Sequence, residues 1–304
     1  MSAGSAPTVV RAHRGTIHVE DAAVLQHQAL EADQYLLRVQ APLTAAHATP
    51  GSFVHLRCDE RLPMRRPLSI MRVDAAAGWV DMLYKVVGEG TAALATRQVG
   101  ERLNLLGPIG NGFVAHVERP RVLAIGGGVG IPPMIFLAES LLGDTRARWQ
   151  PLVLMGSEIP FPFRARPSRI LVPGAPDGVI ACMPLLDEWG VPSRLASNAG
   201  YAGCHAGFVT DLAAHWLRAL SAAELAEVEI FACGPTPMLA AVARLARAHG
   251  LPCQVSLEEY MACAVGGCAG CAVEVHTPAG KAMKRVCVDG PVFEAQGVFP
   301  EPAR

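Results

Sequence analysis

The first third of the chain is a series of short apolar runs separated by Gly, Pro, Asp or polar clusters, with no long helical period between them. The runs are rich in β-branched and aromatic residues, which favour strands. Successive short strands without intervening long helices are typical of antiparallel barrels. The pattern therefore predicts an antiparallel β-barrel, with strands over residues 35–39, 52–57, 68–73 and 79–87 and a turn-rich end over residues 107–112.

From residue 121 onward, apolar strand-like runs alternate with helix-like segments. The clearest helix has Thr236 as its N-cap, Pro237 at its first position and Gly250 just past its end. Thr210 is the predicted cap of an earlier helix. Alternation of this kind predicts a parallel sheet with crossover helices, and residues 161–181, which have no clear period, are predicted to form a long surface loop. The predicted strands are residues 122–125, 152–155, 229–232 and 253–257.

Charge and hydropathy narrow the classes of function. The 304 residues include 26 basic and 27 acidic side chains, so binding to nucleic acid or to an anionic membrane has no electrostatic support. The longest apolar-looking run, residues 122–138, is interrupted by glycines and prolines and is too short to span a membrane. Residues 1–15 have no apolar signal-like region. We therefore expect a soluble, cytoplasmic protein.

Four of the nine cysteines are concentrated near the C-terminus, namely Cys263, Cys268, Cys271 and Cys287. Their spacing is C-x4-C-x2-C followed by a distant fourth cysteine, which is the ligand pattern of plant-type 2Fe–2S clusters. Glycines between the first three cysteines suit a tight loop whose N–H groups point at sulfur. The alternative is a structural zinc site, although zinc ligands usually come as two short cysteine pairs.

Two further turns predict a nucleotide site. Residues 126–130 (GGGVG) follow a predicted strand and open a helix, where backbone N–H groups favour a phosphate. Residues 233–238 (CGPTPM) lie at an equivalent junction, and the carboxyl ends of parallel strands form the usual ligand crevice. A plain strand-to-helix turn, and for Cys233 a buried packing role, are the alternatives.

Two motifs of the barrel could hold a flavin nucleotide. Arg66 offers a fork-shaped guanidinium that suits a pyrophosphate, and the Ser69 hydroxyl could bond a flavin ring. Residues 88–91 (GEGT) open a short helix whose N–H groups, with the Thr91 hydroxyl, could hold the same phosphate. Each motif alone is equally compatible with an ordinary strand or turn.

Taken in order, the motifs RRPLSI, KVVGEGT, LGPIGNGF, GGGVGIPPM, CGPTPML, SLEEYMACAVGGCAGC and VCVDGPVF resemble those of ferredoxin reductase-like flavoproteins. The last two are similar to the electron-transfer subunit of class 1B dihydroorotate dehydrogenase. The resemblance covers residues 11–293. It implies an FAD-binding barrel over residues 9–117, an NAD(P)-binding α/β domain over residues 118–257 and a 2Fe–2S segment over residues 258–304.

The resemblance also implies functions for individual residues. Cys233 and Ser69 are the predicted catalytic residues, and the four C-terminal cysteines are the predicted cluster ligands. The predicted cofactor-binding residues are Arg66, Pro67, Leu68, Ser69, Lys85, Gly90, Thr91, Gly127, Gly128, Gly130, Gly234 and Pro235. Leu68 replaces the flavin-stacking tyrosine of many reductases, and residues 197–200 (SNAG) replace a more acidic loop.

The implied activity is electron transfer between NAD(H), FAD and a 2Fe–2S cluster, to or from a separate FMN-containing catalytic subunit in a heterotetramer. FAD is required because nicotinamide exchanges electron pairs whereas the cluster accepts single electrons. Similar subunits occur in sulfhydrogenases and in NADH-dependent ferredoxin:NADP oxidoreductases, so those partners stay open. A non-enzymatic zinc-binding scaffold is the alternative of another class, and it would be colourless.

Overall fold

In the computed structural model, residues 15–301 are described, and six strands form a closed antiparallel barrel in the order β1-β2-β5-β4-β3-β6. The predicted barrel is confirmed. Its inward-facing apolar side chains, such as Leu37 and Met82, are fully buried. The barrel contains β1 (His18–Ala29), β2 (Gln34–Gln40), α1 (Pro42–His47), β3 (Phe53–Leu56), β4 (Arg66–Asp74), β5 (Trp79–Lys85), α2 (Glu89–Ala95) and β6 (Arg102–Ile109).

A second, largely parallel sheet has the strand order β11-β8-β7-β12-β13-β16. Its first five strands are mutually parallel, which confirms the predicted α/β architecture. The region contains β7 (Arg121–Gly127), α3 (Ile131–Gly143), β8 (Gln150–Gly156), β9 (Arg166–Pro167), β10 (Ala181–Cys182), α4 (Pro184–Glu188), β11 (Ser193–Ala196), α5 (Val209–Ala219), α6 (Ala222–Ala226), β12 (Val228–Cys233), α7 (Thr236–Ala248) and β13 (Cys253–Ser256).

The C-terminal part adds a hairpin and returns to the sheet. It contains β14 (Ala272–Thr277), β15 (Gly280–Arg285), α8 (Val286–Asp289), β16 (Val292–Glu294) and α9 (Ala295–Val298). Strand β16 pairs antiparallel with β13, so the predicted segment 258–304 is partly built into the second sheet. Phe53 of the barrel, Leu123 of the sheet and Cys271 share one apolar core. The three parts of the chain therefore pack as one unit.

Some boundaries differ from the sequence-based expectation. Strand β6 continues to Ile109, so the stretch 107–112 is only partly a turn. The cap of helix α5 is Phe208, two residues before Thr210, and the cap of helix α7 is Pro235, one residue before Thr236, so neither predicted cap is correct. Residues 161–181 contain only the two-residue β9 and the first residue of β10, although Phe161 packs against Phe163.

Within residues 15–301, no helix combines the length and the apolar character that a bilayer crossing requires. The expectation about a signal sequence and the first residues of the predicted barrel domain fall in residues 1–14, outside the described part of the chain. The last three residues of the predicted C-terminal segment also lie outside it.

Candidate functional site

A single large cleft of about 2010 Å³ connects the barrel, the parallel sheet and the cysteine-rich segment. It touches the carboxyl ends of β7 and β8, which is where ligands bind in open α/β sheets. Residues 256–262, which follow β13, complete the wall. We call this space the central cleft. Nine predicted site residues line it, namely Arg66, Pro67, Leu68, Ser69, Lys85, Thr91, Gly127, Gly128 and Pro235.

Arg66 stands at the start of β4, directly over the first turn of α2. Its Nη1 donates to the carbonyl oxygens of Met64 at 2.8 Å and Arg65 at 3.1 Å. Among the described residues no hydrogen bond engages Nε or Nη2, so two donors remain for an anionic ligand. A Cβ at Gly90 would lie 2.6 Å from Arg66 Nε. Gly90 does not line the cleft, and its absent side chain makes room for the guanidinium.

The Thr91 hydroxyl organises the turn that enters α2. Its Oγ1 accepts the N–H of Val87 at 2.9 Å and donates to the Gly88 carbonyl at 3.1 Å. These bonds fix the entry of the chain into the helix and leave its first N–H groups pointing outward. Thr91 therefore shapes the wall of the cleft that faces Arg66, in addition to any contact with a phosphate.

Beyond Arg66, the predicted barrel residues divide between the interior and the cleft. Leu68 is buried, lies opposite Val54 on β3, and reaches the cleft with only a small part of its side chain. Ser69 lies opposite Phe53 and is half-buried at the cleft surface. Lys85 ends β5 and also lines the cleft. The neighbouring Tyr84, which the sequence analysis missed, lines it as well.

Three glycines of the two nucleotide-type turns lie in close contact with their neighbours, and for Gly130 that neighbour is backbone. A Cβ at Gly130 would lie 2.2 Å from the Cys233 carbonyl oxygen, and one at Gly127 would lie 2.5 Å from Met238 Sδ. A Cβ at Gly234 would lie 2.6 Å from Met238 Cε. Gly128 has a φ of 54°, and no atom lies within 4 Å of its Cβ position. The structure therefore leaves Gly128 open to a ligand, while Gly130 and Gly234 do not line the cleft.

Cys233 ends β12 and is fully buried behind the cleft wall. Burial raises the pKa of its thiol well above the usual range, and the nearby Glu258 raises it further, although a hydrogen bond with Ser256 opposes both. The thiol is therefore protonated at neutral pH and is no nucleophile. Cys233 is not among the described residues that line the cleft. Its predicted contact with nicotinamide therefore stays a prediction.

Glu258 is a cleft residue that the sequence analysis missed. Its side chain is open to the cleft, yet the surrounding protein atoms desolvate the carboxyl and raise its pKa above the ordinary value. A carboxyl perturbed by burial inside a cleft is a feature of functional sites. The only signal in the sequence was its position immediately after a strand that ends at the crevice.

The cysteine loop, residues 263–271, is shaped around its sulfur atoms. Ala264 and Ala269 each have a φ of 54°, an uncommon conformation for a residue with a side chain, and each directly follows a cysteine. This turns the N–H of Cys268 toward Cys263 Sγ and that of Gly270 toward Cys268 Sγ, both at 3.4 Å. Burial alone would raise the pKa of Cys263, but backbone donors including Val265 outweigh it and lower that pKa to about 7.

The four thiols lie as two pairs. Cys271 Sγ is 3.3 Å from Cys287 Sγ, and Cys263 hydrogen-bonds with Cys268. Two pairs of thiolates match a cluster of two irons in which four cysteines are the ligands. Residues 15–301 contain no set of three or more Cys, His, Asp or Glu side chains placed to hold a single metal ion. Cys268 is exposed and Cys271 and Cys287 are buried, so the pairs run from the surface inward.

The cysteine loop also borders the central cleft. Met261, Ala262 and Gly270 line the cleft, and each is next to or close to a predicted ligand in sequence. The same cleft is lined on its other walls by Arg66 and Gly128. The barrel motif, the glycine turn and the cysteine loop are therefore brought to one continuous space.

Comparison with known proteins agrees with this arrangement. Residues 258–299 match the family described as the iron–sulfur cluster binding domain of dihydroorotate dehydrogenase B. In fold, the chain is similar to the structure of the NADH-dependent reduced ferredoxin-NADP oxidoreductase, with a TM-score of 0.72 and 26% identity over 92% of this chain and 90% of the other. It is also similar to the ferredoxin reductase of carbazole 1,9a-dioxygenase, with a TM-score of 0.59, 25% identity and coverage of 78% and 67%.

Relatives of known name match almost the whole chain. The dihydroorotate dehydrogenase B (NAD(+)) electron transfer subunit of Shouchella clausii is 33% identical over 265 residues, which is 86% of this chain and 90% of the relative. The subunit of the same name from Desulforamulus reducens is 31% identical over 277 residues, with coverage of 90% and 96%. The chain thus belongs to the family of dihydroorotate dehydrogenase B electron transfer subunits.

Proposed function

We propose that this protein passes electrons between NAD(H) and a separate dihydroorotate dehydrogenase catalytic subunit, by way of FAD and a 2Fe–2S cluster. The observation that carries the proposal is the central cleft, which joins the flavin motif of β4, the glycine turn after β7 and the cysteine loop. When bound, FAD supplies a centre that exchanges electron pairs with nicotinamide and single electrons with a cluster.

The residues have separable tasks in this proposal. Arg66 binds the FAD pyrophosphate through its two remaining donors, and Ser69 hydrogen-bonds the flavin ring from β4. Pro67, Leu68 and Lys85 form the surrounding wall. The open backbone at Gly128 admits the nicotinamide nucleotide beside Gly127 and Pro235 of the cleft wall, and the paired thiols hold the irons. Cys233 is a positioning residue, because it packs behind this wall.

The proposed partner is an FMN-containing catalytic subunit in a heterotetramer of two such pairs, because no motif in this chain resembles a dihydroorotate site. The relatives that are 31–34% identical carry the electron-transfer name, which favours this partner. A partner of the NADH-dependent ferredoxin-NADP oxidoreductase type is the second candidate, since that fold aligns over 92% of the chain. We place the protein in the cytoplasm, where the loop thiols stay reduced.

The cluster assignment is tested by composition. We expect purified protein to contain about one FAD and two irons per chain. Cys268→Ser should lose iron and acid-labile sulfide but keep FAD, because Cys268 is exposed and the barrel carries its own flavin residues. Cys204→Ser, at a half-buried thiol outside the loop, is the matched control and should keep both.

Two results would overturn parts of the proposal. Stoichiometric zinc with no iron would refute the cluster, and loss of FAD together with iron in Cys268→Ser would make the loop a structural element. The partner is tested by co-expression with a dihydroorotate dehydrogenase catalytic subunit, followed by size-exclusion chromatography. Separate elution of the two chains would refute the pairing.

A further inference from the structure

An acidic side chain stands where two parallel strands end at the central cleft. Glu158 lies two residues beyond β8 and lines the cleft. Asn198 lies two residues beyond β11, the adjacent parallel strand, whose Ala196 is in register with Gly156. Asn198 Nδ2 donates to Glu158 Oε1 at 3.2 Å. The two strand ends thus hold a carboxylate that lines the cleft and an amide that contacts it.

This position is the one that meets a ribose when a dinucleotide lies across such a sheet. In a strand–helix–strand unit the pyrophosphate sits at the glycine turn after the first strand, and an acidic residue associated with the second strand bonds the ribose hydroxyls. The unit here is β7, the turn with the open Gly128, α3 and β8. Glu158 therefore supplies, from the second strand, the acid that residues 197–200 lack.

The charges near Glu158 favour a ribose without a phosphate. The described cleft residues that follow β8, end β11 or belong to α5 and the turn before it are 156–159, 196, 207–211 and 214, and none of them is Arg or Lys. The second acid among them is Asp211, which accepts the N–H of Phe208 at 3.1 Å. The basic residues that line the cleft belong to other elements, namely Arg65, Arg66 and Lys85 of the barrel and Arg244 of α7. A 2′-phosphate would meet carboxylates without a counter-charge.

We propose that Glu158, oriented by Asn198, selects NADH over NADPH by accepting hydrogen bonds from the adenosine ribose hydroxyls. The inference rests on the proposed function, because it assigns the specificity of the same nucleotide site. Glu158 is a specificity-determining residue here, and Asn198 is a positioning residue.

The test measures binding of NAD+ and NADP+ to the oxidised holoprotein by isothermal titration calorimetry, so that no turnover is needed. Wild type should favour NAD+. In Glu158→Gln the ratio of the two affinities should fall by roughly tenfold to a hundredfold, since a bond to a charged acceptor is lost. Glu158→Arg should favour NADP+, and Asn198→Ala should change the ratio in the direction of Glu158→Gln but by less.

Glu118→Gln is the matched control, because Glu118 is an exposed acid that does not line the cleft, and it should keep the wild-type ratio. FAD and iron contents equal to those of wild type show that each variant is folded. An unchanged ratio in both Glu158 variants would overturn the inference and leave the proposed function intact. Failure of wild type to bind either nucleotide would overturn both.

Discussion

Gly90→Ala is the substitution that most directly tests how the barrel holds its cofactor. The added Cβ would lie 2.6 Å from Arg66 Nε and 2.7 Å from its Cζ, well inside van der Waals contact. The guanidinium is the end of a flexible side chain, so it moves away by roughly 1 Å and the backbone stays in place. In the proposed FAD complex, the displaced guanidinium would lose its two-pronged contact with the pyrophosphate.

The size of the effect follows from that contact. Hydrogen bonds to charged groups are worth about 1.5–3 kcal/mol each, so weakening the pair should raise the dissociation constant of FAD by roughly tenfold to a few hundredfold. The free energy of unfolding of the FAD-free protein should not fall, because Ala stabilises a helix by about 1 kcal/mol relative to Gly. Gly143→Ala in α3 is the control, since no atom lies within 4 Å of its Cβ position.

The assay is fluorescence titration of the FAD-free protein with FAD, accompanied by thermal unfolding of the same sample. In an Arg66→Ala background Gly90→Ala should cause no further loss of affinity, because both changes remove one interaction. Wild-type affinity in Gly90→Ala, or full additivity of the two changes, would refute the assignment of Arg66 as the pyrophosphate ligand.

Two further predictions concern stability. Gly130→Ala should lower the free energy of unfolding by roughly 1–3 kcal/mol, because its Cβ meets the rigid Cys233 carbonyl at 2.2 Å; urea midpoints equal to those of Gly143→Ala would contradict this. His55 is buried, and burial together with the charge of Arg65 lowers its pKa to about 4 from the ordinary 6.5. As the pH falls, the unfolded chain therefore binds a proton at His55 that the folded chain excludes, and the free energy of unfolding should fall by about 1–2 kcal/mol between pH 8 and pH 5. His55→Leu should make this decline smaller. A variant whose free energy of unfolding declines as steeply as that of wild type would rule out His55 as the source.

Local patterns were sufficient for the architecture and drew attention to the four C-terminal cysteines. Short runs rich in β-branched and aromatic residues, bounded by turn residues, predicted the barrel, and alternating strands and helices predicted the parallel sheet. Four cysteines at a defined spacing predicted a 2Fe–2S site, and the structure brings their thiols together as two pairs. Strand β1 was missed because a bulge between Val24 and Gln26 interrupts its alternation.

Contacts between distant parts of the chain were decided by the tertiary structure alone. The space that Gly90 leaves for Arg66, the packing of Gly130 on Cys233 and the hydrogen bond from Asn198 to Glu158 each join residues from different elements. The burial of Cys233 depends in the same way on neighbouring strands. A sequence pattern reports which face of its own element a residue occupies. Strand order and register determine which other element meets that face, and here they gather three motifs around one cleft.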